Sequence, residues 1–217
     1  MTKQRSFFNR RLHSLLGVIP VGFFLLEHLY TNYHATQGAK EFVEQVEWLW
    51  GIPFMTALEI LFIFLPLLYH GIYGLYIAFQ AKNNVGNFST FRNYMFVLQR
   101  ITGIITLVFV AWHVWETRIQ VALLDIEDPA QLAQLTSDLL QNNVVLALYI
   151  IGVLAAVFHF SNGMWSFLVS WGITVGPRAQ RVSTWIWMAV FVFVSYLGIH
   201  SLLAFADPEF MNHLAQQ

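Results

Sequence analysis

Four histidines, His28, His70, His113 and His159, each lie well inside a long apolar stretch of this 217-residue chain. An imidazole in hydrocarbon is costly, so such a residue defaults to a functional reading: metal ligand, proton carrier or hydrogen-bond partner for a neighbouring helix. The chain has no cysteine. That removes disulfides, iron–sulfur ligation and thiolate sites, leaving histidine and carboxylate as the ligand types available.

The elements that carry these histidines are read from hydropathy. Of the chain, 57% is hydrophobic and only 11% charged, too apolar for an ordinary soluble domain of this size. A bilayer core about 30 Å thick needs about 20 apolar residues at 1.5 Å rise. Stretches of that length run over Leu12–Tyr33, Phe54–Phe79, Phe96–Trp115, Val144–Val169 and Trp185–Ala206. The expectation is an all-α membrane protein, one domain over residues 1–217, built as a bundle of five transmembrane helices. The first stretch is too long for a signal-peptide core and lacks a small-residue cleavage site, so it reads as retained.

Charge placement orients the bundle. With the N-terminus inside, the inner segments carry Lys3, Arg5, Arg10, Arg11, Lys82, Arg92, Arg100, Arg178 and Arg181, leaving Lys40 and Arg118 outside, nine against two. None of the 12 acidic residues falls in an inner loop. The positive-inside rule then places the N-terminus in the cytoplasm and the C-terminus outside. A net charge of −1 argues for no nucleic-acid partner. The loops are too short to form a soluble catalytic domain, so hydrophilic chemistry belongs to partner chains. Gly38–Trp50 and Pro129–Gln141 read as short amphipathic helices on the outer surface or as plain connectors, with Asp128 and Pro129 a start signal for the second.

Within this frame the histidines sort by depth. His28 is five residues from Tyr33 and His113 five from Arg118, about 8 Å below the outer edge. His70 is 17 residues past Pro53 and His159 16 past Asn143, about 24–25 Å down. An outer pair and an inner pair, about 16 Å apart along the normal, are what two stacked bis-histidine b-type haems require. With histidine on both faces, an iron has no open position and suits electron transfer rather than oxygen activation.

Gly74 and Gly163 follow His70 and His159 by one turn, in the similar strings HGIYGLY and HFSNGMW. They would let a flat macrocycle approach the backbone, or simply ease helix packing. Arg100, near the depth of the inner pair, fits either a partner for the inner haem's propionates or a cation snorkelling to the headgroups. His13, His34 and His213 read as solvated boundary or tail residues. His200, near the outer level, is a rival that could line a quinone pocket or displace a ligand. Glu27, Glu59 and Glu116 lie toward the outer side as proton relays or plain interfacial carboxylates.

The same residues carry a resemblance. The strings RRLHSLLGVIPVGFFLLEHL, ALEILFIFLPLLYHGIYGLYIAFQAKNN, RNYMFVLQRITGIITLVFVAWHVWETR, VFHFSNGMWSF and SWGITVGPRAQRVST, covering most of residues 6–184, resemble the dihaem cytochrome b membrane subunits of Bacillus-type succinate dehydrogenases. The resemblance implies a bacterial cytoplasmic-membrane complex with a flavoprotein that oxidises succinate and an iron–sulfur subunit. It implies two haem b groups on His28, His70, His113 and His159, with menaquinone reduced near the outer one. The alternatives are a fumarate reductase or other quinol-oxidising cytochrome b with the reverse electron path, and a haem-free transporter or assembly factor.

Overall fold

A computed structural model describes residues 3–213, with side chains described from Ser6 to Asn212. The side chains of Lys3, Arg5 and His213, weighed above, lie outside the described residues. The described chain is helical: α1 (Lys3–Val18), α2 (Pro20–Tyr33), α3 (Ala39–Trp50), α4 (Met55–Leu58), α5 (Leu65–Gln80), α6 (Phe91–Val114), α7 (Gln120–Leu123), α8 (Pro129–Leu140), α9 (Asn143–Ser170) and α10 (Pro177–Phe205). In lipid every backbone N–H and C=O must be paired within the segment, which a helix does and an open strand does not.

Five helical stretches are long and apolar enough to cross a membrane: Ser6–Gln37, Met55–Gln80, Phe91–Leu123, Asn143–Ser170 and Pro177–Phe205. Each contains one of the expected stretches or overlaps it closely. The helices extend further because polar turns such as Phe91–Tyr94 and Pro177–Ser183 continue the helix although they carry no apolar signal.

Local breaks have local causes. Pro20 has no N–H to give, and α1 hands over to α2 there. Pro66 sits in the first turn of α5, directly after a π-helical stretch Glu59–Phe64 that absorbs the register change. A second π stretch, Trp115–Ile119, begins two residues after His113. The turn between α9 and α10 uses Gly172 and Gly176 at φ 72° and 85°, a left-handed conformation that only glycine adopts without strain.

The chain divides into two compact units, one of Met1–Leu25, Thr56–Thr106 and Ala155–Val192, the other of Leu26–Met55, Leu107–Leu154 and Phe193–Gln217. In the first, α1 packs on α5. In the second, both expected amphipathic segments are helices: α3 buries Ala39, Phe42, Val43 and Val46, and α8 buries Pro129, Ala133, Ser137 and Leu140. The two helices pack together and against Phe205 and Phe210, with the Phe42 and Phe205 rings edge to face at 4.9 Å. Asp128 caps α8 by accepting from the Ala130 N–H at 2.8 Å. Burial of such side chains contributes about 1.5–3 kcal/mol each for the larger ones, so α3 and α8 are packed structure rather than connectors.

Candidate functional site: two facing histidine pairs

His70 on α5 and His159 on α9 belong to the first unit and face each other, with ring centroids 6.1 Å apart and planes 81° apart. Their Nδ1 atoms are both committed. His70 Nδ1 lies 2.9 Å from the carbonyl oxygen of His13, and His159 Nδ1 3.0 Å from that of Gln99. A carbonyl only accepts, so each Nδ1 carries the proton and each Nε2 keeps its lone pair. That is the arrangement of metal-binding imidazoles, whose second nitrogen donates to a backbone carbonyl or carboxylate and so fixes tautomer and orientation.

Gln99 does more than lend its carbonyl. Its side-chain amide donates to the backbone oxygen of His159 at 2.9 Å and accepts from Asn162 Nδ2 at 2.7 Å. Asn162 is itself only 4% exposed, so this is a buried polar network with its partners in place, the kind that holds one geometry.

His28 on α2 and His113 on α6 belong to the second unit and form the other pair, with centroids 5.7 Å apart and planes 67° apart. Asn32 donates to the His28 carbonyl at 2.7 Å, and its amide nitrogen lies 3.4 Å from both ring nitrogens. Phe109 stacks on His113 at 5.8 Å, and Tyr149 meets the same ring edge-on at 5.8 Å. His113 Nδ1 and the Tyr149 hydroxyl are both buried without a hydrogen-bond partner within the chain. A buried donor left unpaired costs about 1–3 kcal/mol, which a bound group presenting an acceptor would recover.

These pairs fit a haem iron held from both faces. A transition metal holds an imidazole nitrogen at about 2 Å, so two nitrogens gripping one ion stand about 4 Å apart with their ring centroids further back. The observed centroid separations of 5.7 and 6.1 Å meet that requirement. Among the described residues no group of three or more His, Asp or Glu side chains is arranged to hold a metal ion, so the ligands on offer come in twos.

The remaining candidates fall as follows. His13 is not a solvated boundary residue: its ring lies flat on His70, centroids 4.1 Å apart and planes 7° from parallel. Helix α1 turns this face toward α5, an effect of packing that hydropathy along one helix does not register. The space beside Gly74 is occupied by His13 and that beside Gly163 by Gln99, side chains of neighbouring helices. Arg100 donates from Nη1 to the Ala81 carbonyl at 2.7 Å, while its Nε is buried without a partner. His34 packs edge-on against Tyr30 at 5.1 Å. His200 is exposed and lies on Tyr196 of its own helix at 3.9 Å. Glu27 accepts from Thr31 at 2.7 Å and Glu116 from the Trp112 indole at 3.2 Å.

Some of the expected inner cations are engaged within the first unit. Arg11 donates to the Ser170 carbonyl at 2.6 Å, where α9 ends. Arg92 lies 3.5 Å from the centroid of Trp165 and bonds Thr184. Arg10, Lys82, Arg178 and Arg181 are exposed.

Five apolar helical spans, four of them carrying the facing histidines, define a multi-pass helical membrane protein. Comparison with known proteins narrows this. Residues 83–198 match the family described as succinate dehydrogenase/fumarate reductase transmembrane subunit. Over 206 residues the chain is 53% identical to the succinate dehydrogenase cytochrome b558 subunit of Bacillus subtilis (strain 168), covering 94% of this chain and 100% of that one. The chain belongs to the succinate dehydrogenase/fumarate reductase transmembrane subunit family.

Proposed function

We propose that this chain is the dihaem cytochrome b subunit of a bacterial succinate:menaquinone reductase, anchoring a flavoprotein and an iron–sulfur subunit to the cytoplasmic face of the membrane. The observation that carries the reading is the pair of facing imidazole couples, 5.7 and 6.1 Å between centroids. The succinate site belongs to a partner chain.

His70 and His159 would hold the iron of the inner haem, and His28 and His113 that of the outer haem. When bound, the two haems supply one-electron transfer between the iron–sulfur subunit and menaquinone. The protein's own part is ligation, alignment and insulation. The His13 and Gln99 carbonyls keep Nε2 of His70 and His159 deprotonated for the metal. Phe109 and Tyr149 each pack on His113 at 5.8 Å, and Tyr149 in turn touches Phe109 at 5.2 Å and Trp112 at 4.9 Å. Arg100 leaves its buried Nε for an inner propionate. The exposed cations Arg10, Lys82, Arg178 and Arg181 suit the docking of partner subunits at the inner face.

The test is to purify the chain with its bound partners and record haem b content, subunit masses and succinate–menaquinone activity from one sample. Two haems per chain and a flavoprotein partner are expected. A complex that reduces fumarate with quinol but does not oxidise succinate would assign the reverse direction, and absence of haem b bands would overturn the reading.

A further inference from the structure

Five segments of the chain share one form, a histidine or glutamine followed four residues later by glycine: HSLLG from His13, HATQG from His34, HGIYG from His70, QRITG from Gln99 and HFSNG from His159. Residues four apart share a helix face. HATQG belongs to a 3-10 turn of the second unit, while the other four lie in long helices of the first unit and pair there reciprocally.

In one pair a Cβ on Gly17 would overlap the His70 ring, and a Cβ on Gly74 would come within 2.9 Å of His13 Nε2. In the other pair a Cβ on Gly103 would lie 2.8 Å from His159 Cε1, and one on Gly163 3.2 Å from Gln99 Nε2. Each long side chain thus fills the space that the opposite glycine leaves. The hydrogen bonds repeat as well, with His70 Nδ1 donating to the His13 carbonyl at 2.9 Å and His159 Nδ1 to the Gln99 carbonyl at 3.0 Å. Helix α1 stands to α5 as α6 stands to α9.

We infer that His13 and Gln99 are equivalent positioning residues, one for each histidine of the inner pair, and that the site is built from two copies of one interlocked helix hairpin. The inference rests on the reading of His70 and His159 as the inner ligands. The two copies differ in how the ligand is held. His13 fixes the rotation of His70 by lying flat against it, 4.1 Å between centroids and 7° between planes. Gln99 fixes the backbone of His159 instead, through the amide bond to its carbonyl at 2.9 Å and the bond from Asn162 at 2.7 Å. Between them they set the 81° angle between the His70 and His159 planes.

That angle is measurable, because the mutual orientation of two axial imidazoles governs the anisotropy of a low-spin ferric ion and so the field of its lowest-field paramagnetic resonance feature. The experiment uses the purified complex with its partner subunits and compares His13→Leu, Gln99→Leu, His13→Gln and Gln99→His with the unsubstituted protein. The leucine variants are expected to move the inner haem's feature and leave that of the outer haem in place, while the two exchange variants hold it closer to its original field. An inner feature unmoved in both leucine variants, or an equal shift of both haems, overturns the inference. Should the leucine complexes not assemble, Gly17→Ala and Gly103→Ala, which keep every hydrogen bond and add one methyl group against a ligand ring, must shift the inner feature alone or the inference fails. Retention of the inner feature in His70→Leu or His159→Leu would instead overturn the ligand reading beneath it.

Discussion

Arg100 on α6 donates to the carbonyl oxygen of Ala81, the capping residue just after α5, across 2.7 Å. The last carbonyls of a helix have no partner within it, and a guanidinium placed there satisfies one of them and complements the helix dipole. Its side chain also lies 4.5 Å from the Phe96 ring centroid. The arginine expected at the depth of the inner pair therefore ties two spans together.

Replacing Arg100 by leucine is expected to destabilise the complex by about 1 kcal/mol, the cost of a partly buried carbonyl left without its charged donor. Loss of the nearby cation is also expected to lower the potential of the inner haem, since a positive charge favours the reduced state. Thermal denaturation of the detergent-solubilised complex checks the first effect and redox titration the second. A potential that rises or stays fixed would remove Arg100 from the inner haem's surroundings.

Much of this was legible in the sequence, and what was not has a physical reason. Spans are set by apolar length alone, so all five could be read directly. The histidine pairs followed from rise per residue, because position along a straight helix is fixed by counting. Which way a side chain points around the helix is fixed by neighbours instead. For that reason His13 passed for a solvated residue, and Gln99, an uncharged side chain on a helix with few polar neighbours, was overlooked. The repeated spacing of histidine or glutamine to glycine was the available signal, but only its occurrences at His70 and His159 began at recognised ligands.

Gly152 offers a test of the outer pair. A Cβ there would overlap the ring of Phe109, which stacks on His113 at 5.8 Å. Gly152→Ala is expected to cost about 1–3 kcal/mol as overpacking and to alter the outer haem's spectrum while leaving the inner one unchanged. Low-temperature difference spectra of the variant resolve the two contributions, and a change in the inner haem alone would contradict the assignment.

Sidedness is open to a clean chemical test because the chain has no cysteine of its own. Cysteines introduced at the exposed positions Glu44 and Asp138 are expected to react with a membrane-impermeant maleimide on intact cells, whereas cysteines at the exposed positions Lys82 and Arg178 react only after the membrane is opened. The opposite labelling pattern would invert the orientation.

The pairing of ligands is tested most directly by counting haems of each potential in single-histidine variants. Redox titration of membranes carrying His70→Leu, His159→Leu, His28→Leu or His113→Leu should show the first two losing one and the same haem and the last two losing the other. If His70→Leu and His159→Leu remove different haems, or either leaves both in place, the facing imidazoles do not share an iron and the account fails.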